Sequence, residues 1–343
     1  MSPNRTGPEE FIQAPRAADV AYVPALICAG VSVVCIRFGF LGFFFLLPLG
    51  FAAYRYGGGT PRFCAFLAVL GNIVISVMMR LFYGAGPGEL AWDALYVSVM
   101  VIGFTWIAAP PESGPRIFRL SGASRFALAS LVGALSLAPM MLAGGAEGGF
   151  QTFLRAQAEM IASLYTASSG ADAEQYITPE RIAAYINAAA LRGGSAVSCF
   201  ILFGVSRQLA LWFSGLVRGD RSRKGLVSFH VPPALIWVLS GALLGVLAGM
   251  KFKVSPLEIA AWNILALSVM LYLVQGGGIL LSFLGRLSAL WLRLALSLAL
   301  IMALMSPGLN AVLAGLLILL GIAENWVPFR APKSNGPSST PGM

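Results

Sequence analysis

Charge is scarce in this chain: only 11% of its 343 residues are Asp, Glu, Lys or Arg, against about 25% in a soluble domain. Histidine occurs once, as His230, and the four cysteines (Cys28, Cys35, Cys64 and Cys199) form no CxxC. That leaves no zinc or transition-metal centre and no disulfide framework. The cysteines all lie in apolar stretches and read as small packing residues. A GxGxxG turn, a phosphate-binding Walker loop and a GxSxG elbow are all missing, which excludes a nucleotide motor.

Carboxylates are scarcer still inside the apolar stretches. Asp93 and Glu258 stand at the ends of such stretches and Glu324 at the end of the last one; the others lie in polar loops or tails. Proton antiporters, acid-lined cation channels and intramembrane aspartyl proteases need acids within the membrane. No acid–base pair is available for catalysis. The expectation is therefore no enzyme, no catalytic residue, no metal and no cofactor.

What the chain has is apolar surface: 58% of it is hydrophobic and mean hydropathy is +0.80. A membrane helix needs about 20 apolar residues. About ten segments qualify: 20–36, 38–54, 63–83, 92–109, 126–144, 188–209, 233–250, 258–284, 289–305 and 308–323. This predicts an all-α, polytopic transmembrane helix bundle. The first two segments meet at Arg37-Phe38-Gly39 and read as two thin spans or a re-entrant pair. Ser306-Pro307-Gly308 makes a tight turn between the last two. Residues 1–19, with Pro3, Pro8 and Pro15, form a polar tail without the order of a cleaved signal peptide. Residues 331–343 are rich in Pro, Ser and Gly and are expected to be disordered.

The net charge of +9 follows from basic loops rather than a nucleic-acid surface. Arg55 and Arg62, Arg116, Arg119 and Arg125, and Arg218, Arg221, Arg223 and Lys224 fall in alternate loops. The positive-inside rule makes these loops cytoplasmic. The chain is then N-in/C-in, with the bilayer as its first partner. Two five-span halves, 20–144 and 188–330, flank an external segment, 145–187. In that segment Phe150, Phe153, Leu154, Ala158, Ile161 and Leu164 share a helical face, weakened by Gln157. Thr178-Pro179-Glu180 then reads as a helix start. The segment is either a lid over an outward-facing cavity or an amphipathic helix lying among the headgroups.

Polar residues inside the spans are the candidate ligand contacts. Asn72, Asn263 and Gln275 each offer amide donors and an acceptor where water is scarce; interhelical hydrogen bonding explains them equally well. Gln275 precedes Gly276-Gly277-Gly278, which either break the helix at a binding site or admit a neighbouring backbone. Arg207 meets an anionic ligand if the sixth span runs 195–216, and lies at the inner surface if it runs 188–209. A centred Arg costs about 2.5–3.5 kcal/mol on insertion scales. Arg37 is an outer anchor or a rim residue for an acidic substrate. Gly241, Gly245 and Gly249 form one small-residue ridge, and Ala21, Ala25 and Ala29 another, suited to packing helices or a membrane partner.

Several stretches, in order, resemble the YybS-like family of bacterial membrane proteins (domain of unknown function 2232). They are Leu47-Pro48-Leu49-Gly50 running to Tyr54-Arg55-Tyr56-Gly57, and Ser206-Arg207-Gln208-Leu209 leading to Phe229-His230-Val231-Pro232. Gln275-Gly276, then Leu320-Gly321-Ile322 with Trp326 and Phe329-Arg330, complete the set. The chain departs from the pattern at Ala323-Glu324-Asn325 and in its triple glycine. The resemblance implies a distant fold likeness to the substrate-binding components of energy-coupling-factor transporters and to the rod-shape protein MreD. Those components dock a partner through an Ala-xxx-Ala ridge, whose spacing Ala21, Ala25 and Ala29 match with Pro24 between them. The expected function is binding or transport of a small solute. The alternative is a non-enzymatic scaffold in an envelope or cell-division assembly.

Overall fold

The computed structural model describes residues 20–83, 87–109, 120–142, 149–169, 178–218 and 226–330. Both terminal tails, Arg116 and Arg119, and the basic run 221–224 lie outside them. All regular structure among the described residues is helical. The helices are α1 (Tyr22–Arg37), α2 (Leu47–Arg55), α3 (Thr60–Tyr83), α4 (Pro87–Ala108), α5 (Gly122–Leu142), α6 (Gly149–Ser169), α7 (Pro179–Ala189), α8 (Ser195–Arg218), α9 (Leu235–Phe252), α10 (Ser255–Arg286), α11 (Leu290–Met305) and α12 (Leu309–Ala323).

The ten expected apolar segments all overlap helical structure, yet they are unequal, and the second and sixth do not match single helices. Among the described residues four helical stretches are long and apolar enough to cross a membrane: Thr60–Met79, Pro179–Val217, Leu235–Phe252 and Ser255–Arg286. The bent pair α11 and α12, at 115° to each other, makes a fifth if taken as one span. Helix α1 has 16 residues and α2 has 9, so at about 1.5 Å per residue neither alone covers a hydrocarbon core of about 30 Å. Their joint is a 3₁₀ turn, Gly39–Phe44. The Ser32 hydroxyl donates to Phe45 O at 2.6 Å, so the chain folds back alongside α1.

Helix α2 sits at the centre of the first half. Leu46, Leu49 and Ala52 are buried there. A Cβ on Gly50 would stand 2.6 Å from Ala210 Cβ and 3.1 Å from the Phe104 ring, so α2, α4 and α8 meet at a residue with no side chain. Phe104 and Phe203 stack across that contact at 6.2 Å. Arg125, at the start of α5, is only 4% exposed. It donates to Leu120 O, Trp106 O and Ala109 O, placing its cation on the carbonyl end of α4, where the helix dipole favours it.

The sixth segment is displaced from its expected bounds. Ala190–Gly194 form a π turn with Arg192 at φ −88°, ψ 36° and Gly193 at φ +116°; beyond it α8 runs to Arg218. Gly193 is needed twice, for its left-handed backbone and because a Cβ would meet Ala266 Cβ at 2.9 Å. Upstream, Thr178 caps α7 by accepting from Arg181 N, with Pro179 in the first turn. Helix α6 packs on α7 through Leu154, Ala158 and Ala162, while Leu164 of the expected apolar face is 64% exposed.

Helix α10 is continuous for 32 residues, and the expected break at Gly276-Gly277-Gly278 does not occur. The glycines serve close approach instead. A Cβ on Gly276 would overlap the carbonyl oxygen of Leu317 in α12, and one on Gly321 would overlap that of Tyr272. The outer surface stays apolar: Trp237, Leu244, Trp291 and Leu294 are all more than 60% exposed, as suits residues facing lipid.

Candidate functional site

The polar groups inside this apolar bundle fall into four sets. The first joins α1 to α3. Asn72 is fully buried and Ser76 nearly so. Arg37, the last residue of α1, donates to Asn72 Oδ1 at 2.7 Å and to Ser76 Oγ at 2.9 Å. The Asn72 Nδ2 has no hydrogen-bond partner. An unpaired amide donor beside a guanidinium makes this set rich in donors, suited to a ligand that presents acceptor oxygens.

The second set is the Gln275 clip. Gln275 is fully buried. Its Oε1 accepts from Val231 N at 2.7 Å and its Nε2 donates to Gly321 O at 3.0 Å. Both ends of the amide are thus engaged, tying α10 to the segment before α9 and to α12. Gln275→Leu should lower stability by about 1–3 kcal/mol, the cost of leaving buried backbone groups unpaired. A thermal melt in mild detergent checks this, and an unchanged midpoint would show that the clip carries no weight.

Asn263 anchors the third set, at the π turn. Its Nδ2 donates to Leu191 O at 2.6 Å and to Ile259 O at 2.8 Å. Its Oδ1 is buried without a partner. Beside it Arg192 and Glu258 form an ion pair at 3.1 Å, with the Arg side chain 52% exposed. Asn263 therefore holds the bend open by satisfying a carbonyl that the turn releases.

The fourth set lies at the end of the bundle where the basic loops attach. Arg330 makes a fork-on-fork pair with Glu324 and also donates to Val227 O at 2.6 Å and Phe229 O at 2.8 Å. Val227, Ser228, His230, Glu324, Pro328 and Arg330 line an open cavity of about 350 Å³. Its two charges are spent on each other. Nearby in the fold, Phe126 packs against Phe229 and Phe200, and the Arg207 guanidinium stands 5.8 Å over the Phe126 ring.

Arg207 lies midway along α8, not at its end. The ridges are covered by the chain itself. Ala25 and Ala29 are buried, and the Ala21 N–H donates to Thr60 Oγ1. Gly245 and Gly249 face α10 at Ala261 and Glu258, and only Gly241 has open space.

Among the described residues no group of three or more His, Cys, Asp or Glu is placed to hold a metal ion. Fold and site together define, among the described residues, an all-helical protein with several helices long and apolar enough to cross a membrane and a few buried polar sets. Neither a family model, nor a curated protein, nor a solved structure matches the chain.

Proposed function

We propose that the chain is a multi-pass protein of the bacterial cytoplasmic membrane that binds or transports a small solute. In this reading its ten apolar segments lie N-in/C-in, with the short helices α1, α2, α11 and α12 paired as re-entrant or thin spans. It belongs with YybS-like proteins and acts in the manner of a transporter substrate-binding component. The observation that carries the reading is the Arg37–Asn72–Ser76 set. A fully buried amide with an unused N–H is costly where no water can satisfy it, and a solute oxygen offsets that cost. Thermal melts against panels of small carboxylates and polar vitamins test it. A binding solute should raise the melting temperature of the wild type, and Asn72→Ala should melt normally yet show no shift. Equal shifts in both proteins would remove Asn72 from the site.

A second reading, a non-enzymatic scaffold in an envelope assembly, draws on one observation. Gln275 and Asn263, which a solute would otherwise use, hold helices together through backbone carbonyls and an N–H. It predicts a stoichiometric protein partner and no saturable ligand.

A further inference from the structure

The π turn is rich in acceptors, where the Asn72 set is rich in donors. Asn263 is 8% exposed. Both N–H bonds of its amide go to carbonyls, Leu191 O in the turn and Ile259 O in α10, which fixes the oxygen as the atom left over. That Oδ1 is buried with no hydrogen-bond partner, and it belongs to the same planar group as an N–H that already touches the turn. Asn187 repeats the pattern from α7: its Oδ1 is also buried without a partner. Ala189 and Ala190 keep right-handed helical angles, so Asn187 stands one turn before Leu191 on the same face.

The turn adds backbone oxygens. Gly193 and Gly194 carry no side chain to cover the carbonyls beside them. A Cβ on Gly193 would stand 3.3 Å from Trp262 O, and one on Gly194 would stand 2.9 Å from Ala189 O. Interrupted helices inside a membrane hold cations through such carbonyls. The charges of the turn fit a single positive charge. Glu258 is the carboxylate beside it, and its ion pair with Arg192 spends that charge. The Arg192 side chain is 52% exposed, so it reaches away from the buried oxygens. What remains are neutral amide and carbonyl oxygens, whereas a divalent ion draws on carboxylates. Asn263 lies about two turns into α10, where a spare oxygen finds little water.

We infer that the Asn263 and Asn187 amide oxygens, with the carbonyls of the π turn, form a binding site for an alkali-metal cation. The cation gives both amide oxygens a partner and ties α7 to α10 across the bend. The site is separate from the Asn72 set and goes beyond the solute reading, so either stands if the other falls.

Thermal melts of the full chain in mild detergent test it, with sodium, potassium, ammonium or choline chloride at one ionic strength. The wild type should melt higher in sodium or potassium than in choline, and the gain should saturate with concentration. Asn187→Leu should melt in choline at or above the wild type, because it removes an unpaired buried oxygen. It should bind the cation about tenfold or more weakly, the loss expected for one charged contact. Asn263→Ala should lose the gain altogether and also melt lower in choline, since Leu191 O loses its donor. Equal melting of the wild type in all four salts, or a gain that survives undiminished in Asn187→Leu, would overturn the site. A gain with ammonium alone would overturn the metal ion in favour of a ligand with N–H donors.

Discussion

Alanine at Gly276 is expected to destroy most of the folded protein, whereas alanine at the adjacent Gly277 leaves stability unchanged or raises it by about 0.5–1 kcal/mol. The two residues share a helix and differ only in what they face. Gly276 lies against the backbone of α12, where an added methyl would overlap the Leu317 carbonyl, and Gly277 faces open space. A backbone carbonyl cannot swing aside like a flexible side chain. The methyl must push α10 and α12 apart, which also lengthens the Gln275–Gly321 hydrogen bond of 3.0 Å. Overpacking typically costs about 1–3 kcal/mol, and a clash with backbone on both helices exceeds that range. Gly321→Ala should behave like Gly276→Ala, because it meets the Tyr272 carbonyl from the other side. Melting temperatures of the three variants in one detergent decide the matter. Equal loss at Gly276 and Gly277 would mean that the glycines matter for flexibility, not approach.

Removal of the Arg330 guanidinium should cost about 3–5 kcal/mol, the range for stripping one partner from a buried ion pair. The Glu324 side chain is 5% exposed and that of Arg330 15%, so little solvent screens the charge left behind. The Val227 and Phe229 carbonyls lose their donor in the same step. Arg330→Ala should therefore melt far below the wild type. The double variant Arg330→Met with Glu324→Gln should recover much of the loss, since no charge then remains buried. Arg330→Lys should recover little, because an ammonium cannot make the fork. A single variant within about 1 kcal/mol of wild type would show that the clasp is solvated and weak.

Hydropathy alone locates ten apolar segments, and eight of them match single helices, the second and sixth being divided between elements. Composition shows this well because burial in lipid demands long apolar runs. Two features escape it for the same reason. The apolar pattern of 188–209 passes through Gly193-Gly194 without a gap, yet Gly193 sits at φ +116° and bends the chain there. Adjacent glycines were the available signal. Gly276-Gly277-Gly278 allow both a helix break and a close backbone approach; α10 stays helical and contact with α12 selects the second. The site was legible only as residue types. Asn72, Asn263 and Gln275 stand out as amides in apolar runs, but which of their atoms are engaged depends on partners such as Arg37, Leu191 and Gly321, at sequence separations of 35, 72 and 46. Arg330 gave no periodic signal, because it follows the last helix.

The central claim, that this membrane bundle holds a small solute, is met most directly by a native mass spectrum of the wild-type chain released gently from detergent. The account predicts a small added mass at one per chain, which exchanges with solute in the buffer and is lost in Asn72→Ala while the protein stays folded. A chain carrying no exchangeable solute, or one carrying a stoichiometric second polypeptide in its place, would contradict the claim and leave the scaffold reading standing.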